Sequence, residues 1–339
     1  MPQNIPLLDL SPFYQTRRDT TEFKQLLCQI DEALRTTGFL CIKGTSVSTE
    51  VVRNAQNTAL AFFDQPIEEK NLVKALKHAN RGYTGLAELG LSYSMDADDL
   101  KKDRQSPPDL FERYRIGPVE QFDPAVMELF ANGAYAPNIW PDTPASFAAV
   151  MQDYYLKMNR LSQDLLELFA LVLGLPEQWF ADKVNRSMAS LAINHYPAQL
   201  EPPLPGQLRA GPHTDYGTVT IVAPTAAPGG LQTRTKDGQW EDVQVEPGTF
   251  VVNIGDMMAQ WTNDKWVSTV HRVVNPKLDS GLAGRRLSLV FFHQPNPDAV
   301  IDCIPTCITQ GSPKKYDAVI AGEYISAKIN RHFKSYLAA

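Results

Sequence analysis

Between residues 175 and 310 the chain breaks into eight short segments rich in Val, Ile, Thr and Phe, punctuated by Gly, Pro, Asn or Asp. They read MASLAINHYP, HTDYGTVTIVAP, GGLQTRT, WEDVQV, TFVVNIGD, STVHRVVNP, RRLSLVFFHQP and AVIDCI. β-Branched and aromatic side chains suit a pleated, half-buried surface, and the punctuating residues supply the turns. Many short strands at this spacing predict a sandwich or barrel of jelly-roll type, in a mixed α/β chain that is mainly β.

The remainder is richer in helix. IPLLDL reads as a short strand, EFKQLLCQIDEALRTTG as a helix stopping at Gly38, FLCIKG as a strand, and Thr49 to Phe63 as a second helix. Residues 78–143 are irregular and rich in Pro, Gly and Asp. A long amphipathic helix covers roughly Pro144 to Leu173 and ends at Gly174; a last helix spans Tyr316 to Leu337. No repeat or linker divides the chain, so residues 1–339 read as one domain. It has a helix-rich region over 1–140, a jelly-roll core over 175–310 and a C-terminal helix over 311–339. Strands from the N-terminal region are expected to join the edges of the core.

Charge and cysteine usage narrow the function. Lys+Arg number 32 against 38 Asp+Glu, a net charge of -6, and no basic block stands out, so neither nucleic acid nor an anionic membrane is expected as a partner. Cys28, Cys41, Cys303 and Cys307 do not make a disulfide framework, and no Cys/His pair lies near Cys303 and Cys307 at zinc spacing. MPQNIPLLDL lacks the basic and apolar regions of a signal peptide, and LSQDLLELFALVLGL is short and interrupted by Asp164 and Glu167. The expectation is a cytoplasmic protein, monomeric or a weak homo-oligomer, acting on a small molecule.

Within HTDYG, His213 and Asp215 are two positions apart, which on a strand places them on one face. A buried carboxylate without a partner is costly, and a cation relieves that cost. A polar turn is the bland alternative. Two histidines compete to be a third ligand: His271 in STVHRVVNP and His293 in FFHQP. Two histidines and a carboxylate on one face of a barrel form the facial triad that leaves positions open for substrate and O2. Spacing alone leaves iron, a zinc cupin and no metal at all open.

RRLSLVFF adds a second constellation. Arg286 and Ser288 share a face by alternation, and a guanidinium fork beside a hydroxyl grips a carboxylate. For a lone RxS a surface ion pair is the better reading, but the apolar LVFF continuation implies burial. Tyr196 and Asn194 in NHYP share a face and offer donors to the same carboxylate.

These residues carry a resemblance. HTDYG, HRV and RLSLVFF, preceded by NHYP, resemble the isopenicillin N synthase-like family of Fe(II)- and 2-oxoglutarate-dependent oxygenases. IPLLDL, GFLCIKG, NRGYTG, PPDLFERYRIG, GGLQ and NIGDMMAQWTNDKWVSTVHRV match the family's pattern, so the resemblance covers nearly the whole chain. It implies a double-stranded β-helix fold, cupin-like, with flanking helices. It also implies that His213, Asp215 and His271 bind Fe(II), that Arg286 and Ser288 bind the distal carboxylate of 2-oxoglutarate, and that Tyr196 lies near it, assisted by Asn194. The implied reaction oxidises a small molecule with O2, by hydroxylation, desaturation or cyclisation, as 2-oxoglutarate is decarboxylated to succinate and CO2. Two departures stand out: KLDSGLAGR lengthens the hairpin before Arg286, and His195 takes the second position of the NHYP motif, facing the opposite way.

Two alternatives accompany that reading. One is an O2-dependent oxidase of the same fold that uses no 2-oxoglutarate and holds a substrate carboxylate with Arg286 and Ser288. The other is a non-redox, metal-binding cupin-like protein, which leaves the Arg286–Ser288 pair unexplained. For the substrate itself the candidates are Phe292, Arg81, Tyr83 and Tyr216. The NRGYTG, HTDYG and VVNIGD segments are similar to microbial members acting on small polar rings, with a secondary metabolite or amino acid equally open. The C-terminal helix is expected either to cap the barrel mouth or to mediate self-association.

Overall fold

The computed structural model describes residues 5–15, 19–75, 80–91, 107–130, 133–227, 229–279 and 284–337. Its strands are β1 (Leu7–Asp9), β2 (Phe39–Lys43), β3 (Gly82–Thr84), β4 (Glu112–Ile116), β5 (Ser190–Tyr196), β6 (Ala210–His213), β7 (Val219–Pro224), β8 (Leu231–Arg234), β9 (Trp240–Asp242), β10 (Phe250–Ile254), β11 (His271–Val273) and β12 (Arg286–His293). The helices are α1 (Thr21–Thr36), α2 (Thr49–Phe63), α3 (Ile67–Asn71), α4 (Pro124–Leu129), α5 (Phe147–Val172), α6 (Ala181–Val184), α7 (Asp256–Trp261) and α8 (Ala321–Leu337). Val300–Ile301 and Val319–Ile320 make a small hairpin-like pair before α8.

Two sheets enclose the working space. The larger has the order β1-β2-β10-β7-β12-β5-β4-β3, and the smaller β6-β11-β8-β9. The N-terminal region therefore supplies both edges of the larger sheet, β1 and β2 at one side and β3 and β4 at the other. Strands β6 and β7 follow one another in sequence yet lie in different sheets, so HTDYGTVTIVAP, one segment by its texture, is two strands with a crossing between them. Residues 78–143, irregular by composition, hold β3 and β4 and the short α4.

The large sheet is polar or charged at several positions on each face, and alternation sorts them. On the outer face, α2 and α5 cover the sheet with an aromatic cluster in which Phe62 meets Tyr114 edge-on at 5.0 Å and Phe147 at 5.3 Å. Tyr155 packs edge-on against Phe291 and donates from its hydroxyl to the Ala189 carbonyl at 3.0 Å. Helix starts are capped by side chains, Thr20 accepting from Phe23 N and Ser48 from Val51 N. Gly38 ends the turn after α1 at φ +68°; a Cβ there would lie 2.0 Å from the Val267 carbonyl oxygen, so only glycine fits.

The inner face lines a cavity of about 160 Å³ between the two sheets. Strand register arranges its floor in rows. Arg113, Asn194 and Ser288 form one row across β4, β5 and β12; Arg115, Ala192 and Val290 form the next. Ser190, Phe292, Thr220 and Asn253 form a third across β5, β12, β7 and β10. Arg286 and Tyr196 pair beyond the first row.

Candidate metal centre and its cavity

His213 closes β6 and His271 opens β11, and the two are register partners whose rings lie 4.3 Å apart. Asp215 lies past the end of β6. Strand alternation therefore does not bring it to the histidines; a turn does, and that turn is pinned from below. The first backbone N–H groups of α7 have no partner within the helix, and those of Asp256 and Met257 donate to the carbonyls of Asp215 and Tyr216, at 2.8 and 3.2 Å. Gly255 lets the two backbones approach, since a Cβ there would sit 2.4 Å from the Gly217 carbonyl oxygen.

One ligand atom from each of His213, Asp215 and His271 lies within 4.8 Å of the others. His213 Nδ1 is 2.7 Å from the Gly211 carbonyl and His271 Nδ1 is 3.1 Å from the Thr269 carbonyl. A carbonyl only accepts, so each Nδ1 carries the hydrogen and each Nε2 keeps its lone pair, the state a metal ligand needs. Asp215 Oδ2 accepts from Asn253 Nδ2 at 2.7 Å, and Oδ1 lies 4.0 Å from His271 Nε2. Burial, with His271 next to it, pushes the His213 imidazole down to about 3, so it stays neutral. Burial alone would raise Asp215; the two imidazoles, Asn253 and Thr220 outweigh it and hold the carboxyl below its ordinary range. Two neutral nitrogens and one carboxylate oxygen fit a divalent first-row metal such as Fe(II).

Arg286, Ser288, Tyr196 and Asn194 all line the same cavity, as do Phe292 and Tyr216. Among the described residues, Arg286 Nε is buried without a hydrogen-bond partner, and its Nη1 has only a 3.5 Å contact with the Gly229 carbonyl. A buried guanidinium left this open is prepared for an anion from outside the chain. Asn194 Oδ1 accepts from Arg113 Nε at 2.8 Å, which fixes its amide.

His293, the rival third ligand, points the other way. It is fully buried on the outer face, with Nδ1 2.8 Å from Thr218 Oγ1, and burial pushes it down to about 3. Arg81 and Tyr83 are not among the described residues that line the cavity. Tyr83 is the register partner of Tyr114 and so shares its outer face, where its hydroxyl donates to Glu112 Oε2 at 2.6 Å. Arg81 donates to the carbonyls of Asn80 and Ala134, and its guanidinium fills the space beside Gly117. The added KLDSGLAGR loop falls partly outside the described residues, since 280–283 are not among them.

The cavity also holds residues that sequence reasoning misses. Arg113 and Arg115 project into it from β4, Asn253 and Thr220 support Asp215, and Ile329 of α8 reaches its mouth. The alternation in ERYRI is the available signal for the two arginines. Of the two options for the C-terminal helix, the position of Ile329 favours the cap.

Comparisons with known proteins bear on this site. A model of the 2OG-Fe(II) oxygenase superfamily matches residues 187–295, and one of the N-terminal region of a non-haem dioxygenase in morphine synthesis matches residues 5–143. A 2-oxoglutarate-Fe(II) type oxidoreductase of Emericella nidulans is 32% identical over 332 residues, spanning 96% of this chain and 89% of that protein. Validamycin A dioxygenase of Streptomyces hygroscopicus subsp. limoneus is 29% identical over 97% of this chain and 86% of its own. A full-length Neurospora crassa protein, solved in complex with alpha-KG and thymine, superposes with a TM-score of 0.82 at 31% identity, covering 96% of each chain. Among the described residues no helix is long and apolar enough to cross a membrane.

Proposed function

The chain belongs to the 2OG-Fe(II) oxygenase superfamily, and from that premise we propose which residues carry out its reaction. It is a non-haem iron, 2-oxoglutarate-dependent dioxygenase acting on a small molecule. His213, Asp215 and His271 hold the Fe(II), and Arg286 with Ser288 receives the distal carboxylate of 2-oxoglutarate. Tyr196 and Asn194 flank that carboxylate, and Phe292 and Tyr216 wall the substrate.

The bound iron, 2-oxoglutarate and O2 supply the oxidising power, through decarboxylation of the keto acid to succinate and CO2. The chain supplies position. The Gly211 and Thr269 carbonyls aim the two imidazoles, Asn253 and Thr220 aim the carboxylate, and the α7 N-terminus fixes the turn that carries it. Arg286 would hold the far end of the co-substrate, in the same cavity as the ligand triad that its keto-acid end would have to reach. Apolar Val222, Val251 and Val290 exclude water from the floor between them.

The observation that carries this assignment is a cavity holding, together, three metal-competent donor atoms and a buried guanidinium nitrogen without a partner. The test is succinate formation by Fe(II)-loaded protein, with and without 2-oxoglutarate. Succinate that depends on both, and is lost in His213→Ala with the Mn(II) binding of the native protein, supports it. Unchanged Mn(II) affinity in that variant refutes the ligand assignment, and substrate oxidation without 2-oxoglutarate refutes the role of Arg286.

A further inference from the structure

Arg115 is a cation that the co-substrate does not need. It stands in the second row of the floor, level with Val290, while Arg286 lies four residues away along β12. At about 3.4 Å per residue that is roughly 14 Å, too far for one five-carbon dicarboxylate to span while it also reaches the iron ligands. Ala192 beside it is small, so the guanidinium extends over β5 toward the third row. There its carbon lies 5.5 Å from the Phe292 ring centroid, and Nη1 donates to Ser190 Oγ at 3.3 Å.

No carboxylate hydrogen-bonds this guanidinium among the described residues, and its buried Nε has no partner there. The neighbouring charges add to the demand for an anion. The charges of Arg113 and Arg81 repel it, ahead of the opposing influence of the Tyr216 phenol and Asp215. Burial first, then those two arginines, hold its affinity for a proton well below the ordinary range. A desolvated cation in this position is stabilised by a negative group brought in from outside.

We propose that Arg115 binds an anionic group of the oxidised substrate, which is therefore a small, ring-sized acid lying on Phe292. This deepens the functional assignment and rests on 2-oxoglutarate occupying the Arg286–Ser288 end. Register sets the size of the acid. The guanidinium sits at the Ser190 end of the third row, and Thr220 and Asn253, which hold Asp215, sit two and three strands along it. Two interstrand steps are about 10 Å, the span of one ring with an acidic substituent.

The experiment titrates native protein loaded with Mn(II) and 2-oxoglutarate, by calorimetry, with benzoate, phenylacetate and indole-3-carboxylate, each beside its primary amide. The acids are expected to bind at least tenfold more tightly than their amides. Arg115→Gln erases that preference and leaves 2-oxoglutarate affinity within about twofold, while Arg115→Lys, which keeps the charge, retains part of it. Three results overturn the proposal: no acid binding more tightly than its amide, a preference that survives Arg115→Gln, or a loss of 2-oxoglutarate affinity in that variant beyond tenfold. Arg286→Gln separates the two assignments: it is expected to lose 2-oxoglutarate and keep the acid preference, and unchanged co-substrate affinity there overturns the clamp alone.

Discussion

The two faces of the large sheet are built from the same strands and treat charge in opposite ways. On the outer face, Glu112 accepts from Lys70 at 2.7 Å and Tyr83 at 2.6 Å, and pairs with His195 Nδ1 at 2.7 Å. His195 in turn accepts from Arg285 Nε at 2.8 Å and stacks on Phe63. Every member of that network finds its partner within the chain. On the inner face, at positions of opposite parity on β4 and β12, Arg115 and Arg286 each keep a buried nitrogen without a partner among the described residues. A satisfied polar network holds a fold in one arrangement, whereas open hydrogen-bonding capacity is a binding site. The sheet thus keeps its structural and its chemical polarity on opposite faces of the same strands.

That contrast can be broken by substitution. Asp215→Ala, in the cavity that the inner face lines, removes the anionic ligand; succinate formation should fall by more than the roughly 100-fold seen when an outer-shell partner is lost, with melting of the metal-free protein little changed. Glu112→Ala on the outer face should do the reverse. It leaves Lys70 and His195 buried without their carboxylate, costing about 3–5 kcal/mol of stability in a denaturant melt, while the surviving folded fraction keeps its KM for 2-oxoglutarate. Equal effects on both readouts in both variants would dissolve the distinction between the faces. Arg286→Gln comes next: loss of a charged pair of hydrogen bonds, about 1.5–3 kcal/mol, should raise the KM for 2-oxoglutarate roughly 10- to 150-fold with a smaller change in kcat.

Acid sharpens the comparison, because burial pushes one histidine down to about 3 on each side of the large sheet, His213 across the cavity on β6 and His293 on the outer face. A histidine whose folded value lies below its unfolded one, about 6.5, costs nothing above that pH. As pH falls from about 6.5 toward 3 the unfolded chain takes up the proton first, so stability declines by about 1.4 kcal/mol per pH unit for each residue. Asp109, which burial raises to about 7, acts in the opposite sense over the same range, so the contribution of one histidine is read by difference: His293→Asn should lessen the loss of stability of the metal-free protein between about pH 6.5 and 5 by about 2 kcal/mol. A pH profile unchanged by His293→Asn would contradict the burial of that imidazole. The smallest effect is expected from Lys328→Ala at the rim, about 1 kcal/mol or less, read as faster proteolytic clipping of α8.

Local pattern made much of this legible. Helix α2 falls at Thr49–Phe63 as its periodicity predicts, because its cap and apolar face are written in neighbouring residues. Arg286 and Ser288 share a face because β12 is a regular inner strand, where alternation decides direction. Strand β4 was not legible: ERYRI is charged at three of five positions, and its partner β5 lies some eighty residues away in sequence. Buried charge on both faces hides the usual apolar signature. Asp215 was grouped with His213 for the wrong reason, since β6 has already ended and a docked helix N-terminus supplies the geometry. Tyr83 faces outward because its direction is set by pairing with Tyr114 of β4.

A single carboxylate ties the cavity's roof to its floor. Asp256 Oδ2 accepts from Thr214 Oγ1 at 3.2 Å, within the metal-bearing turn, and from Lys328 of α8 at 3.0 Å; Oδ1 accepts from Ser268 at 2.7 Å, three residues before His271. Helix α8 and both halves of the ligand set therefore share one anchor. Reciprocity follows from thermodynamics: whatever factor a seated α8 adds to the affinity of the turn for its ion, the ion adds to the seating of α8. Docking of α8 and loading of the metal site become one equilibrium, observed from opposite ends.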